Sequence, residues 1–428
     1  MSENNNNTLL NTLLFVLYLV FFTSLIVSLR TVSSISVGLI LITGFFKNKL
    51  EQKSFFSSHL KNYFLIFCGL FFSLQIISLS YTTNIHQGWS DIRLKSALVI
   101  IPLAGCCCDY IHEITRSKIL KWYCVILFSA CLFAIYHASR IYSATGNPSA
   151  FLYHSLVLIY SGHAVQFSIL VFIALLHLFE AITKKEMIFN RSIHLFLILF
   201  FLLFLFLLSS KLVIVFFILY FLYVMIKLLL LKSVNKKFIT IAIIGFIALS
   251  VLILFTRNPI NNRFKEIMQT DFRLIEKEKF NPGIYFNGLQ FRLLQWKFVS
   301  EILTEKRAWL AGVTPGDAQG YLNQKYIEKD MYTGTVERGD KGFIGYNTHN
   351  EFLEALLQTG IIGGLIFLLI CWSLIKMAWQ RKKAELSFVT MLLIIYSLSE
   401  SVFETQYSLF IFLFFPLFFY STKNRNHS

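Results

Sequence analysis

Residues 192–231 read S-I-H-L-F-L-I-L-F-F-L-L-F-L-F-L-L-S-S-K-L-V-I-V-F-F-I-L-Y-F-L-Y-V-M-I-K-L-L-L-L. Two apolar runs, 192–209 and 211–231, meet at the polar joint Ser209-Ser210-Lys211. Each run approaches the ~20 helical residues that are needed to cross ~30 Å of hydrocarbon. Because a backbone in lipid must satisfy its own hydrogen bonds, such runs form helices. The stretch therefore predicts a helical hairpin that crosses a membrane twice.

The rest of the chain has the same apolar character. Of its 428 residues, 56% are hydrophobic and only 14% are charged, and the mean hydropathy is +0.63. This balance excludes an ordinary soluble domain. The composition predicts an all-α polytopic membrane protein, embedded in a lipid bilayer through about twelve spans. These spans are expected at residues 8–29, 31–46, 62–80, 96–111, 120–138, 161–182, 192–209, 211–231, 238–256, 352–378, 385–401 and 406–421.

The net charge of +16 is unevenly placed along the chain. If the N-terminus is inside the cell, the short loops on the opposite side carry few cations. The cytoplasmic segments then hold Lys47, Lys49, Lys53, Lys61, Arg116, Lys118, Lys121, Lys184, Lys185, Arg191, Lys227, Lys232, Lys236, Lys237, Lys376, Arg381, Lys382, Lys383, Lys423 and Arg425. By the positive-inside rule, this distribution predicts that both termini are cytoplasmic. It also argues against nucleic acid as a partner. The opening M-S-E-N-N-N-N lacks a basic region, so no cleavable signal peptide is expected.

The runs divide the chain into three parts. Residues 1–256 hold about nine predicted helices, residues 257–350 hold no span, and residues 351–428 hold about three. The topology places 257–350 outside the cytoplasm, and a loop of this length is usually functional. Apolar residues recur there at helical spacing, which predicts an amphipathic helix across about 288–305. They are Leu289, Leu293, Trp296, Val299 and Leu303.

The stretch T-H-N-E-F-L-E, residues 348–354, carries titratable groups into the next apolar run. Thr348 and Glu351 fit a capping box, which makes His349 the first residue of the helix. The positive end of the helix dipole disfavours an imidazolium there, so a neutral His349 can act as a general base. A histidine that only forms an interfacial hydrogen bond is the alternative. Charged groups at membrane depth are costly and usually functional, and Glu400 follows a later run on the same side.

Several cations lie on that same outer side. Arg292 is four residues before Trp296 on an apolar stripe, which suggests an anionic partner; snorkelling of its head into water is the alternative. Lys211 stands between two spans, and Arg93 precedes the fourth span, where a flanking interfacial charge is an equally good interpretation. Together with a candidate base, these groups favour a lipid-linked phosphate or diphosphate as ligand.

No metal or other cofactor is expected. The triplet Cys106-Cys107-Cys108 is the one tempting metal motif. Consecutive helical residues point ~100° apart, however, so three of them cannot chelate from one face. We interpret these cysteines as small apolar packing residues.

The order of these motifs resembles the O-antigen ligase and polymerase superfamily of bacterial envelope glycosyltransferases. The resemblance covers roughly residues 200 to 400. It rests on the Ser-Ser-Lys hairpin, then R-L-L-Q-W (292–296), L-A-G-V-T-P-G (310–316) and T-H-N-E-F-L-E-A-L-L-Q-T-G-I-I-G (348–363). It implies a metal-independent, helical enzyme of the bacterial inner membrane. Such an enzyme moves a glycan from undecaprenyl diphosphate to an acceptor hydroxyl at the periplasmic face.

The resemblance also implies roles for individual residues. His349 would activate the acceptor, and Arg292 would bind the diphosphate. Lys211 matches a position where the family commonly has arginine, so the charge is kept but the bidentate fork is lost. Arg93 is a weaker correspondence, and Arg263 and Glu400 are assigned to substrate binding from side and charge alone.

Several functions share these parts. A ligase passes a finished polymer to lipid A–core sugar, a polymerase extends a lipid-linked repeat, and an oligosaccharyltransferase modifies a protein hydroxyl. We favour the ligase because of the one long outer loop and the compact H-N-E-F-L junction. A transporter of lipid-linked sugar would use the same cations without chemistry. It would usually show two related halves, which this sequence does not.

Overall fold

The computed structural model of the protein describes residues 2–52, 59–107, 113–160, 162–184, 186–230, 270–335 and 340–420. Within these ranges the secondary structure is helical and no strand occurs, so the predicted all-α class is confirmed. The helices up to residue 230 are α1 Ser2–Ile26, α2 Arg30–Leu50, α3 His59–Ser78, α4 Ile85–Lys95, α5 Ala97–Cys107, α6 Glu113–Thr145, α7 Tyr153–Leu156, α8 Ala164–Lys184, α9 Arg191–Leu208 and α10 Lys211–Leu230. After residue 270 come α11 Arg273–Glu276, α12 Gly288–Glu305, α13 Pro315–Glu328, α14 Glu351–Arg381, α15 Ala384–Tyr396 and α16 Gln406–Tyr420.

Eight of these helices are long and apolar enough to cross a membrane, and the protein is a multi-pass membrane protein. They are α1, α2, α3, α6, α8, α9, α10 and α14. Two further apolar helices, α15 and α16, are shorter. The run at 96–111 is described as helix α5 up to Cys107. Its last residues and the run at 238–256 lie outside the described residues. The predicted total of twelve spans is therefore not reached within the described ranges.

Helix α8 lies at the centre of the helical bundle. In its most apolar stretch, 83% of the residues are buried. Apolar residues cover every face of this helix rather than one stripe. The short helix α16 is likewise buried along its whole length. Helices α9 and α10 need no polar face either, since the surrounding lipid is apolar. The bundle is thus a single apolar core into which few charged side chains enter.

The segment between α10 and α14 has a core of its own. We call its described part, residues 270–335 and 340–350, the loop lobe. Helices α12 and α13 pack together there around buried aromatic and aliphatic side chains, among them Phe298 and Tyr326. Helix α12 occupies the range over which the sequence predicts an amphipathic helix, and Asn287 and Gln290 form the capping box that begins it.

Two glycines let the loop lobe approach the bundle closely. Gly360 interrupts α14 with a φ of +66°, and a Cβ there would lie 2.2 Å from the carbonyl oxygen of Leu310. Gly312, with a φ of +73°, would place a Cβ 2.4 Å from the backbone of Gln358. The peptide N–H of Val313 donates to the Leu357 carbonyl at 2.8 Å. The L-A-G-V-T-P-G motif is therefore a backbone joint on the broken helix, and a residue with a side chain would clash at either glycine.

Asp317 attaches the other side of the loop lobe to α4. Its carboxylate accepts hydrogen bonds from Thr83 N at 2.8 Å, Thr83 Oγ1 at 2.6 Å and Asn84 N at 2.9 Å. Burial would raise the pKa of Asp317, but these hydrogen bonds outweigh it and hold the pKa below its ordinary value. The two attachments place α12 and the segment before α14 over one end of the bundle.

Candidate functional site

His349 adopts a left-handed backbone conformation, with a φ of +47°. The predicted capping box of Thr348 and Glu351 is wrong. Asn350 caps α14 instead, since its side chain accepts from Phe352 N at 2.9 Å, and the helix begins at Glu351. His349 is therefore outside the helix rather than its first residue. Its backbone N–H is fixed by the side chain of Asn347 at 3.1 Å, which suits a tight turn.

The residues of the predicted cap have other partners. Thr348 Oγ1 donates to Glu354 Oε2 at 2.8 Å, and Glu351 accepts from Phe403 N at 2.8 Å. All three side chains are buried. These contacts join the start of α14 to the segment between α15 and α16. They fix the residues next to the His349 turn, while the imidazole itself stays partly exposed.

Glu400 connects the two most important predicted residues. Its Oε2 lies 3.1 Å from His349 Nδ1, and its Oε1 lies 3.0 Å from Arg292 Nη2. The side chains are 16%, 22% and 30% exposed for Glu400, His349 and Arg292. The cluster that these side chains form between α12, the His349 turn and residues 397–405 is thus partly accessible. The structure brings together three of the six residues singled out in the sequence.

Arg292 is held by several acceptors at once. Beyond Glu400, its Nε donates to the Ser399 carbonyl at 3.0 Å and its Nη1 to the Gly288 carbonyl at 3.1 Å. The arginine is therefore fixed to the 397–405 segment, and the alternative of a snorkelling side chain does not describe it. A guanidinium with a carboxylate partner also keeps that carboxylate ionised beside the imidazole.

His163 is a member of this cluster that the sequence analysis missed. It lies immediately before α8, and its Nε2 is 4.0 Å from Glu400 Oε2. Burial, together with His154, His349 and Arg292, lowers the pKa of His163 despite the opposing charge of Glu400. The only sequence signal is a histidine after Gly162 at the start of an apolar run.

The charge of Glu400 is maintained by its neighbours. Burial would raise the pKa of Glu400, but the hydrogen bond and charge of His349, followed by His163 and Arg292, outweigh burial and lower it. With its pKa lowered, the carboxylate of Glu400 accepts the Nδ1–H of His349. The lone pair of the imidazole is then on Nε2, for which no hydrogen-bond partner is found among the described residues. This tautomer suits proton abstraction.

Residues 195–368 match the family model described as O-Antigen ligase. This region is similar to the O-antigen ligase family. The resemblance found in the sequence is thereby confirmed over that range, which is less than half of the chain and contains Lys211, Arg292 and His349. Among curated proteins, no relative matches the chain. Members of the family are glycosyltransferase-like ligases and polymerases, so the match supports an enzyme.

A second polar network joins α4 to the first turns of α14 and to Glu404. Lys95 Nζ pairs with Glu404 Oε1 at 2.9 Å, and Gln358 donates both to Glu404 at 2.9 Å and to Glu354 at 2.8 Å. Because Glu354 also accepts from Thr348, the chain of contacts reaches the His349 turn. Lys95 is 1% exposed. Burial of its ammonium shows that it is a structural partner.

The remaining predicted site residues lie elsewhere. Lys211 is the first residue of α10, directly after the buried Ser209 and Ser210. Arg93 lines a different cavity, near the N-terminal end of α2. Arg263 lies outside the described residues. Among the described residues, no group of three or more potential metal ligands comes together.

Proposed function

We propose that the protein is an O-antigen ligase-like glycosyltransferase of the bacterial inner membrane. It transfers a glycan from undecaprenyl diphosphate to a sugar hydroxyl of lipid A–core at the periplasmic face, with both termini in the cytoplasm. The observation that carries the proposal is the ionised Glu400 held between His349 and Arg292 in a partly accessible cluster. The family match to residues 195–368 supports the same chemistry.

In the proposed reaction, His349 is the general base. Glu400 holds the Nδ1–H, so Nε2 accepts the proton of the acceptor hydroxyl as its oxygen attacks the anomeric carbon of the donor. The new bond joins that oxygen to the anomeric carbon. The bond from the anomeric carbon to the diphosphate oxygen breaks, and the diphosphate leaves with the electron pair. The proton on His349 then passes to the departing diphosphate or to water.

Arg292 is proposed to bind the donor diphosphate. Its Nη2 already faces a carboxylate, which shows that an anionic oxygen fits within hydrogen-bonding distance. As charge grows on the leaving group, a fixed guanidinium stabilises it without having to reorganise. Lys211 and Arg263 remain proposed auxiliary cations for the same diphosphate. The reaction is proposed to need no metal, so transfer should persist in the presence of a chelator.

A deletion strain tests the proposal and separates its alternatives. Lipid A–core that lacks polymer, while undecaprenyl-linked chains of normal length accumulate, indicates a ligase. Single repeats on the core indicate a polymerase. The strain is complemented with wild-type protein and with His349→Ala, and both are quantified in membranes. A His349→Ala protein that restores wild-type glycan on the acceptor would contradict the base assignment and favour transport without chemistry.

A further inference from the structure

A second cavity opens at the end of the bundle that carries the His349 cluster. Its volume is about 470 Å³, and it lies between the first turns of α2, the end of α4, the start of α5 and the residues that precede α16. This cavity is lined by neither His349 nor Arg292. Its polar lining comprises Arg30, Arg93, Ser34, Ser90, Ser96, Glu404, Thr405 and Gln406.

Two guanidinium groups of this cavity have no protein partner in the described ranges. Neither Arg30 nor Arg93 forms an ion pair or a side-chain hydrogen bond there, and both side chains are exposed. Arg292 and Lys95, by contrast, are each paired with a carboxylate. Glu404 also lines the cavity, but its charge is balanced by Lys95 at 2.9 Å and its Oε1 accepts from Gln358. The cavity therefore presents an excess of positive charge.

The lining has two chemically different parts. Arginines and hydroxyl groups supply hydrogen-bond donors suited to phosphate oxygens. The remaining wall is apolar, and it consists of Val37, Leu94, Ala97, Ile100, Ile101 and Phe410. A free phosphate ion would leave this wall without a contact, and a neutral lipid would leave the arginines unpaired. A phosphate group attached to a hydrocarbon chain satisfies both parts of the cavity.

The cavity is physically connected to the transfer site. Helix α4 carries Arg93 and Lys95, and the two residues before it, Thr83 and Asn84, donate to Asp317 of the loop lobe. The opposite wall carries Glu404, four residues after Glu400 in the same segment. Both walls of the cavity are therefore attached to elements that also position His349. A ligand bound between them contacts the same rigid segment that carries the proposed orienting carboxylate.

We propose that this cavity binds the lipid phosphate of the acceptor, as a site separate from the donor diphosphate at Arg292. The inference rests on the proposed function, because a transfer between two lipid-borne glycans requires a place for the second lipid. It holds for a ligase and for a polymerase alike, since lipid A carries phosphate on a sugar beside its acyl chains and a polyprenyl diphosphate carries phosphate directly on its chain. Arg30 and Arg93 bind the phosphate, and the apolar wall contacts the first part of the chain.

Equilibrium binding to the full-length protein in neutral detergent tests the cavity itself. The probes are citronellyl phosphate, citronellol and inorganic phosphate. Citronellyl phosphate should bind the wild-type protein at least ten times more tightly than either other probe. The double variant Arg30→Ala/Arg93→Ala should lose at least tenfold of that affinity. Arg140→Ala removes an exposed arginine of α6 that does not line the cavity, and it should bind like the wild type.

Three results of the binding experiment would overturn the proposal. Equal affinity for inorganic phosphate would mean that only a free anion is recognised. Equal affinity for citronellol would mean that the arginines contribute nothing. Unchanged affinity in the double variant would place the lipid phosphate elsewhere.

Transfer kinetics in proteoliposomes test the assignment to the acceptor. Arg93→Ala should raise the KM for the acceptor at least tenfold while the KM for the donor stays unchanged, and Arg93→Lys should recover part of the loss. If excess phosphatidylglycerol abolishes binding of citronellyl phosphate, the site belongs to bulk headgroups and the acceptor assignment is overturned. If the wild-type protein transfers no glycan, the proposed function fails, whereas the binding experiment still decides whether the cavity takes a lipid phosphate.

Discussion

The Nδ1 atom of His349 lies 3.1 Å from Oε2 of Glu400, although 51 residues separate the two in sequence. The contact joins the turn before α14 to the segment between α15 and α16. It fixes the orientation of an imidazole that also lies beside the rings of Phe291 and Tyr346. Orientation of a base by a carboxylate is a recurring device in acyl and glycosyl transfer sites.

Glu400→Gln tests the role of this carboxylate. The amide keeps the size of the side chain but removes its charge, and it can donate as well as accept, so the tautomer of His349 is no longer fixed. We expect the transfer rate to fall about 10²-fold, within the range attributed to a positioned general base. Donor binding should change much less. A variant that transfers glycan at the wild-type rate would remove Glu400 from the mechanism.

The stability difference between the wild type and Glu400→Gln should depend on pH. The pKa of Glu400 is lowered in the folded protein, so its contribution is fully present above the ordinary carboxyl pKa of ~4.3 and is lost as the pH falls through the lowered value. The difference in Tm between wild type and Glu400→Gln should therefore be largest near neutral pH. It should shrink below a pH of about 4. A difference that grows on acidification has the opposite sign and contradicts the assignment.

Arg292 is expected to need its guanidinium rather than its charge alone. Three of its nitrogens donate, to Glu400, Ser399 and Gly288, and a lysine ammonium cannot reproduce that fork. Arg292→Lys should weaken donor binding by about tenfold, and Arg292→Ala by more, because Glu400 is then left without a cation. The measurement is a titration with the lipid-linked donor. Equal and negligible losses would mean that Arg292 has no part in donor binding.

Gly360→Ala tests the joint between the loop lobe and the bundle. A Cβ at this position would lie 2.2 Å from the Leu310 carbonyl oxygen, and the φ of +66° is unfavourable for alanine. We expect a loss of stability of at least ~1–3 kcal/mol, the cost of one strongly strained residue, and partial loss of transfer. Gly364→Ala is the matched control in the same helix, since its nearest neighbour is 4.0 Å away. Equal Tm values for the two variants would show that the joint tolerates a side chain.

The helical class and the candidate residues were predictable because they depend on local sequence. Apolar run length gives the long helices directly, and the spacing of Leu289 and Val299 gives the helix Gly288–Glu305. His349, Arg292 and Glu400 were found as residue types that are costly near a membrane. Their contacts were not predictable, because the residues come from three separate segments.

The errors in the sequence analysis also have physical causes. Thr348 and Asn350 are both good N-cap residues, and the choice between them depends on a buried hydrogen bond from Thr348 to Glu354 that is a tertiary contact. His163 gives no periodic signal. The count of twelve spans stays a prediction, because the residues that follow Cys107 of α5 and the run at 238–256 lie outside the described ranges.

The central claim is that His349 removes the proton of the acceptor hydroxyl. The most direct test is the rate of glycan transfer in proteoliposomes that contain purified wild-type protein or His349→Ala, with the donor affinity and Tm measured in parallel. We predict that the variant loses at least ~10²-fold in rate while its donor affinity and Tm stay near those of the wild type. A variant that folds normally and transfers glycan at the wild-type rate would contradict the claim.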